Sequence, residues 1–161
     1  MLKPFCDTDF ELLENWVTGP DILFQFAGTG FIYPITREQL QQYRSKYPER
    51  QFYIGYTTDN VPFSFGEIIP QDNDSVRLAR LLIGDPLLRG KGLGVYFVRF
   101  LIEECIARFK TNNVDLFVWD NNLAAIKCYK KAGFNFVPVE PFAMVYNNET
   151  YNLLKMTLAK S

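Results

Sequence analysis

The chain contains no histidine, and that absence removes more chemistry than any other single property of the sequence. Without an imidazole there is no Ser-His-Asp or Cys-His nucleophilic unit and no histidine-bearing zinc site. Cysteine is scarce as well. Cys6, Cys105 and Cys128 are an odd number at wide spacing, which makes neither a disulfide framework nor a metal cluster and reads as reduced, mostly buried thiols. A strong charge of one sign is also missing: net charge −1 and a pI near 5.5 give no broad positive field. Nucleic acid is therefore not an expected partner, and any basic site must be local. No apolar run approaches a membrane span, and Met1-Leu2-Lys3-Pro4-Phe5 opens no signal-peptide hydrophobic region. The expectation is a soluble cytoplasmic protein without a membrane partner.

What is present is enough apolar material for one core. With 161 residues, 48% of them hydrophobic, a single domain over 1–161 is expected. The pattern reads as a mixed α/β unit. A short strand near Leu2–Phe5 precedes Thr8-Asp9-Phe10-Glu11, whose capping-box spacing predicts a helix through Val17, ended by Gly19-Pro20. Phe24 to Pro34, aromatic but interrupted by glycines and a proline, reads as a loop. Thr36-Arg37-Glu38-Gln39 predicts a second capping box before a helix with Leu40 and Tyr43. Gln51–Thr57 and Pro62–Ile69 make a hairpin about Thr58-Asp59-Asn60, and Val76–Ile83 completes an antiparallel meander.

A helix from about Gly92 should turn Phe97, Val98, Leu101, Ile102, Cys105 and Ile106 to the sheet and leave Glu104 and Arg108 as an exposed pair. Val114–Trp119 reads as a buried strand parallel to its predecessor. Asp120-Asn121-Asn122 can cap a helix over Leu123–Ala132 that Gly133 ends. Phe134–Val139 and Thr150–Leu158 finish the sheet.

The run Leu88-Arg89-Gly90-Lys91-Gly92-Leu93-Gly94 stands between strand and helix. Alternate glycines remove Cβ atoms and permit positive φ, so backbone N–H groups can turn toward an anion. The helix dipole, Arg89 and Lys91 add positive charge there. A Walker loop does not fit, because no Ser or Thr follows the lysine. Gly90, Gly92 and Gly94 are also one residue too closely spaced for a Gly-x-Gly-x-x-Gly dinucleotide fingerprint. The pattern left is Arg-x-x-Gly-x-Gly, read as Arg89, Gly92 and Gly94.

That pattern resembles the pyrophosphate-binding signature of the GNAT superfamily of acyl-CoA-dependent N-acetyltransferases. A second motif agrees: Asn122, Ala125, Tyr129, Gly133 and Phe134 occupy the places of the family's Asn-x-x-Ala-x-x-x-Tyr-x-x-x-Gly-Phe. The resemblance is specific from about Val76 to Phe134. It implies a GNAT-like fold: a central, mixed, mostly antiparallel twisted sheet whose parallel fourth and fifth strands splay apart, with helices on both faces. It implies acetyl-CoA as co-substrate and no metal. The pantetheine arm would lie along Leu81, Leu82 and Ile83, and the pyrophosphate on Arg89, Gly90, Lys91, Gly92, Leu93 and Gly94. Asn122 would bind the coenzyme, cap the helix, or do both. Tyr129 would be the general acid that protonates the departing thiolate, while Cys128 is expected to be a packed thiol.

The sequence departs from the family where some members carry a glutamate base, since Phe117 stands there. Glu67, expected to share a strand face with Phe63 and Phe65, is the tentative base; an ion pair with Arg77 or Arg80 is the competing role. The implied reaction is direct acetyl transfer in a ternary complex to a primary amine, either of a small molecule such as an aminoglycoside or of a protein or peptide, with a non-catalytic acyl-CoA-binding module as the alternative. Leu93–Phe134 is also similar to aminoglycoside 6'-N-acetyltransferases, but the acceptor is not written in the sequence. Asp21, Asp72, Asp74, Glu140 and Glu149 are candidate contacts for a cationic acceptor, and Arg77 or Arg80 for an acceptor carboxylate. Monomer and homodimer both remain open.

Overall fold

The structure, a computed structural model, describes residues 1–159. Eight strands join one sheet: β1 (Leu2–Pro4), β2 (Gln51–Tyr56), β3 (Pro62–Pro70), β4 (Val76–Ile83), β5 (Val114–Trp119), β6 (Phe134–Phe136), β7 (Phe142–Tyr146) and β8 (Glu149–Leu158). The spatial order is β1-β2-β3-β4-β5-β8-β6, with β7 also on β8. Among the described residues only β4 and β5 pair in parallel. Their connection is helix α4 (Leu93–Phe109), as a parallel crossover requires.

Helices cover both faces, and each face has its own core. On one, α4 and α5 (Leu123–Lys131) bring Phe97, Leu101, Cys105 and Tyr129 against Leu78, Leu116 and Phe134. On the other, α1 (Phe10–Trp16), α2 (Pro20–Ala27) and α3 (Arg37–Lys46) pack Leu13, Leu23 and Leu40 against Phe5, Phe52 and Phe65. Each such side chain contributes on the order of 1.5–3 kcal/mol by leaving water.

Several local expectations are corrected. Thr8 caps nothing; a 3-10 turn over Asp7–Asp9 leads into α1, and Asp9 accepts the Cys6 N–H at 2.8 Å. Phe24–Ala27 is helix rather than loop, because Gly19-Pro20 starts α2 as well as following α1. Proline at the first helical position has no N–H to leave unpaired, Asp21 favours the positive end, and Leu23 and Phe24 bury. Thr36 does cap α3, accepting from the Gln39 N–H at 3.2 Å. The Gln39 side chain does not complete the box, and instead holds the preceding loop through Ile32 and Pro34.

Ile106 lies at the edge of the apolar stripe of α4 and is half exposed. Glu104 and Arg108 make no salt bridge, since Glu104 accepts from the Tyr53 hydroxyl at 2.9 Å. The strand after Phe134 is shorter than expected, ending at Phe136, and β7 was not anticipated. β7 joins β8 through Asn147-Asn148, both with positive φ, as a tight hairpin turn needs.

Two irregularities in β3 and β4 re-aim side chains. The register slips between Gly55 and Tyr56 opposite the start of β3, so Phe63 packs with the α4 core while Phe65 and Glu67 face α1–α3. Glu67 therefore shares its face with Phe65 but not with Phe63. A second slip between Phe65 and Glu67 matches Arg80, whose φ of 49° interrupts β4.

Candidate active site

The β4–β5 ladder runs from Val76↔Val114 to Leu78↔Leu116 and stops, although β4 continues to Ile83 and β5 to Trp119. A cavity of about 770 Å³ opens in the gap. Its walls come from α4 and α5 on one face of the sheet and from α2 and the following loop on the other, so it passes through the sheet. The Gly84 N–H donates to the Phe63 carbonyl at 2.8 Å. Because successive amides alternate sides along a strand, those of Leu81 and Ile83 then point to the open edge. Leu81, Leu82 and Ile83 all line the cavity.

At one end lies the glycine run. Gly90 and Gly92 have φ of 74° and 79°, and a Cβ at either would meet nothing within 4 Å, so open space lies before both. Gly92 caps α4. Arg89 donates from Nε to the Ile83 carbonyl at 3.0 Å, fastening the cradle to the end of β4. Gly94 has a different reason to be glycine: a Cβ there would stand 3.1 Å from the Cys128 Sγ, so it lets α4 and α5 approach closely. Arg89, Gly90, Gly92 and Gly94 line the cavity, whereas Lys91 and Leu93 do not. Lys127 and Lys131 of α5 add two cations to this wall.

Asn122 does cap α5, its Oδ1 accepting from the Ala125 N–H at 3.2 Å, and it also lines the cavity. Tyr129 is nearly buried on α5 and its hydroxyl has no hydrogen-bond partner among the described residues. Burial, and then the neighbouring Cys128, push its pKa above the ordinary phenol value, so the group is a held proton at neutral pH. Burial likewise raises the Cys128 thiol, which leaves little thiolate.

The opposite end is built from side chains. Arg80 donates from Nη1 to Glu67 Oε2 at 2.7 Å and to the Tyr43 hydroxyl at 3.1 Å; Tyr43 in turn donates to Glu67 Oε1 at 2.6 Å. Glu67 is fully buried, and that burial raises its pKa, opposed by the Arg80 charge and the Tyr43 hydrogen bond. Arg80 lines the cavity; Glu67 stands behind it and does not. Arg77 pairs with Asp115 at 2.7 Å and lies 4.4 Å from the Phe117 ring centre, rather than meeting Glu67. The ion pair with Arg80 is the competing role expected for Glu67; the part of Tyr43 in the cluster, and the helical form of the α2 wall, had no signal in the sequence because each joins segments distant along the chain. Of Asp21, Asp72, Asp74, Glu140 and Glu149, none reaches the cavity wall.

Trp119, at the end of β5, closes this side. Its indole N–H donates to the Gln25 carbonyl at 3.0 Å, and it stacks on Phe24 at 4.9 Å, which stacks on Tyr146 at 3.9 Å. Met144 of β7 sits against Gly28 and Thr29, so the unanticipated strand also walls the site. Among the described residues no group of acidic, cysteine or histidine side chains could hold a metal ion, and no helix is long and apolar enough to cross a membrane.

The arrangement is similar to known proteins. Residues 19–134 match the acetyltransferase (GNAT) family. A spermine/spermidine N(1)-acetyltransferase of Bacillus subtilis is 33% identical over 86 residues, covering 50% of this chain and 56% of that protein. The chain thus spans about half the length of the curated relatives it matches. Among solved structures, spermidine N-acetyltransferase from Vibrio cholerae in complex with CoA and spermine superposes with a TM-score of 0.81 at 14% identity, over 98% of this chain and 94% of that one. AAC(6')-Ib in complex with ribostamycin and coenzyme A gives 0.74 at 20%, over 98% and 92%.

Proposed function

The chain belongs to the GNAT acetyltransferase family, and from that premise we propose that it moves an acetyl group from acetyl-CoA to a primary amine within a ternary complex. The observation that carries this reading is the single cavity that joins the positive-φ glycine cradle, the open edge of β4 and the Tyr129 hydroxyl.

The residues fit the coenzyme. Gly90 and Gly92 leave room for a pyrophosphate, with Arg89, Lys127 and Lys131 as counter-charges, and the unpaired amides of β4 suit the strand-like pantetheine arm. Lys91 and Leu93 would then contribute through the loop backbone and the α4 dipole rather than by their side chains. Asn122, whose Oδ1 holds the helix, has its amide nitrogen left for the coenzyme. Acetyl-CoA, when bound, supplies an acetyl thioester.

This chain's groups do the rest. The Ile83 N–H stabilises negative charge as it grows on the acyl oxygen. Tyr129 gives its phenol proton to the sulfur as the carbon–sulfur bond breaks. The proton lost by the attacking nitrogen goes to water and restores the phenol, so amine and acetyl thioester become amide and free thiol with nothing left over. Glu67, hidden behind Arg80, positions that guanidinium rather than taking the proton. A base is needed less than usual, because cations along the wall lower the pKa of a bound ammonium and favour the free amine. A cytoplasmic location suits such a reaction, since acetyl-CoA is available there.

A non-catalytic acyl-CoA-binding module is the second reading, favoured by the lack of any carboxylate among the described lining residues. Release of free CoA from acetyl-CoA across a panel of amines separates the two. Amine-dependent release is expected; tight coenzyme binding with no release from any amine would favour the binding module.

A further inference from the structure

The charge pattern of the cavity wall is one-sided. Arg77, Arg80, Arg89, Lys127 and Lys131 line it, and no Asp or Glu does among the described residues. Three of these cations stand at the cradle end, where phosphates would answer them. Arg80 stands at the other end, beyond the last paired residues of β4 and β5 and against Tyr43 of α3, and Arg77 stands just inside the paired stretch, opposite Asp115. Each has a buried carboxylate behind it, but each carboxylate serves a second cation or donor as well. Asp115 also meets Lys155 at 3.7 Å, and Glu67 also accepts from Tyr43, to which Arg50 donates at 2.6 Å. Neither carboxylate faces the cavity.

Arg80 is held as a receptor would hold it. Its Nη1 is committed to Glu67 and Tyr43, and its plane lies 4.7 Å from the Tyr43 ring centre and 5.3 Å from that of Phe31. The other edge of the guanidinium is uncommitted. Nε is a buried donor with no acceptor, and Nη2 lies where a Cβ on Gly30 would stand 2.9 Å away. A buried donor without a partner is unfavourable, and a ligand oxygen that reaches this edge would relieve that cost. The Nε–Nη2 edge is the fork that matches a carboxylate in two-point geometry.

Resting on the acetyl-transfer reading, we infer that the acceptor is a small amine that carries a carboxylate, bound by the free edge of Arg80 with Arg77 beside it. A polycationic acceptor is the wrong complement: with the coenzyme phosphates answering the cradle cations, several positive charges would enter an end that presents Arg77 and Arg80 and, among the described lining residues, no anion. Gly30 is part of the receptor, since a side chain there would occupy the space against Nη2. The attacking nitrogen and the anchoring carboxylate belong to one molecule, so the anchor brings the amine to the splay in a fixed orientation.

The test measures CoA release from acetyl-CoA with free amino acids, the same amino acids as methyl esters, spermine and an aminoglycoside. The free carboxylates are expected to exceed their esters by about tenfold or more in kcat/KM, chiefly through acceptor KM. Arg80→Gln should remove that preference. Because it strands the buried Glu67 charge, the double variant E67Q/R80Q, which removes both charges, must behave alike. Spermine or the esters turned over as well as the free carboxylates would overturn the assignment, as would variants that slow acids and esters equally. Either result leaves acetyl transfer intact. No release with any amine would sink the transfer reading and this one together.

Discussion

The two ends of the cavity are built by different means. The cradle is backbone: positive-φ glycines, a helix start, and one arginine tied to the end of β4, all within seven consecutive residues. The end proposed for the acceptor is side chain: Arg80, Glu67 and Tyr43 from three elements, walled by α2 and β7. A backbone site recognises what every acyl-CoA shares and can be written in one short stretch. A side-chain site recognises one acceptor, and its parts are free to lie anywhere in the chain.

The largest expected effect falls between the two ends. Tyr129→Phe should lower kcat a hundredfold or more while coenzyme affinity, measured by titration, holds; an unchanged kcat would remove Tyr129 as the acid. Next, Glu67→Gln should cost about 2 kcal/mol of stability in denaturant unfolding, because Arg80 loses its buried counter-charge. Coenzyme affinity should not follow, and if it did the two ends would not be separable.

Gly92→Val should weaken acetyl-CoA binding by well over tenfold, above about 1.4 kcal/mol, by straining a φ of 79° and filling the cradle. Its acceptor preference should be unchanged in the panel. The smallest effect is on pH. Tyr43 and Cys105 are both raised to about 12, from ordinary values of 10.0 and 9.0, first by burial. Groups raised on folding favour the folded state below their unfolded pKa and lose that contribution as pH climbs through the folded value. The thermal midpoint should therefore hold to about pH 9 and decline between about 9 and 12. Tyr43→Phe should remove only the acceptor-end share of that decline.

The same contrast explains what the sequence revealed. Arg89–Gly94 and Asn122–Phe134 were legible because their chemistry is local: caps, positive-φ glycines, and a tyrosine at fixed spacing from a helix start. The splay of the fourth and fifth strands followed from family resemblance and is present in the pairing. The bulge at Arg80 had no marker, since an arginine holds the positive φ that a glycine would have advertised. The misplacement of Phe63 has the same cause, because period-two reasoning fails at a register slip. Helix α2 was missed because Gly19-Pro20 is as good a start as a stop. β7 had one signal, the Asn147-Asn148 pair, which suits a hairpin whose first strand holds Ala143 and Met144 rather than a strong apolar alternation.

Trp119 gives the molecule a lamp inside the site. The chain has two tryptophans; Trp119 lines the cavity, while Trp16 packs over Gly84 at the end of β4 and does not. Its emission should change when either end fills, so Trp16→Phe would leave a single fluorophore that reads donor and acceptor occupancy without any added label.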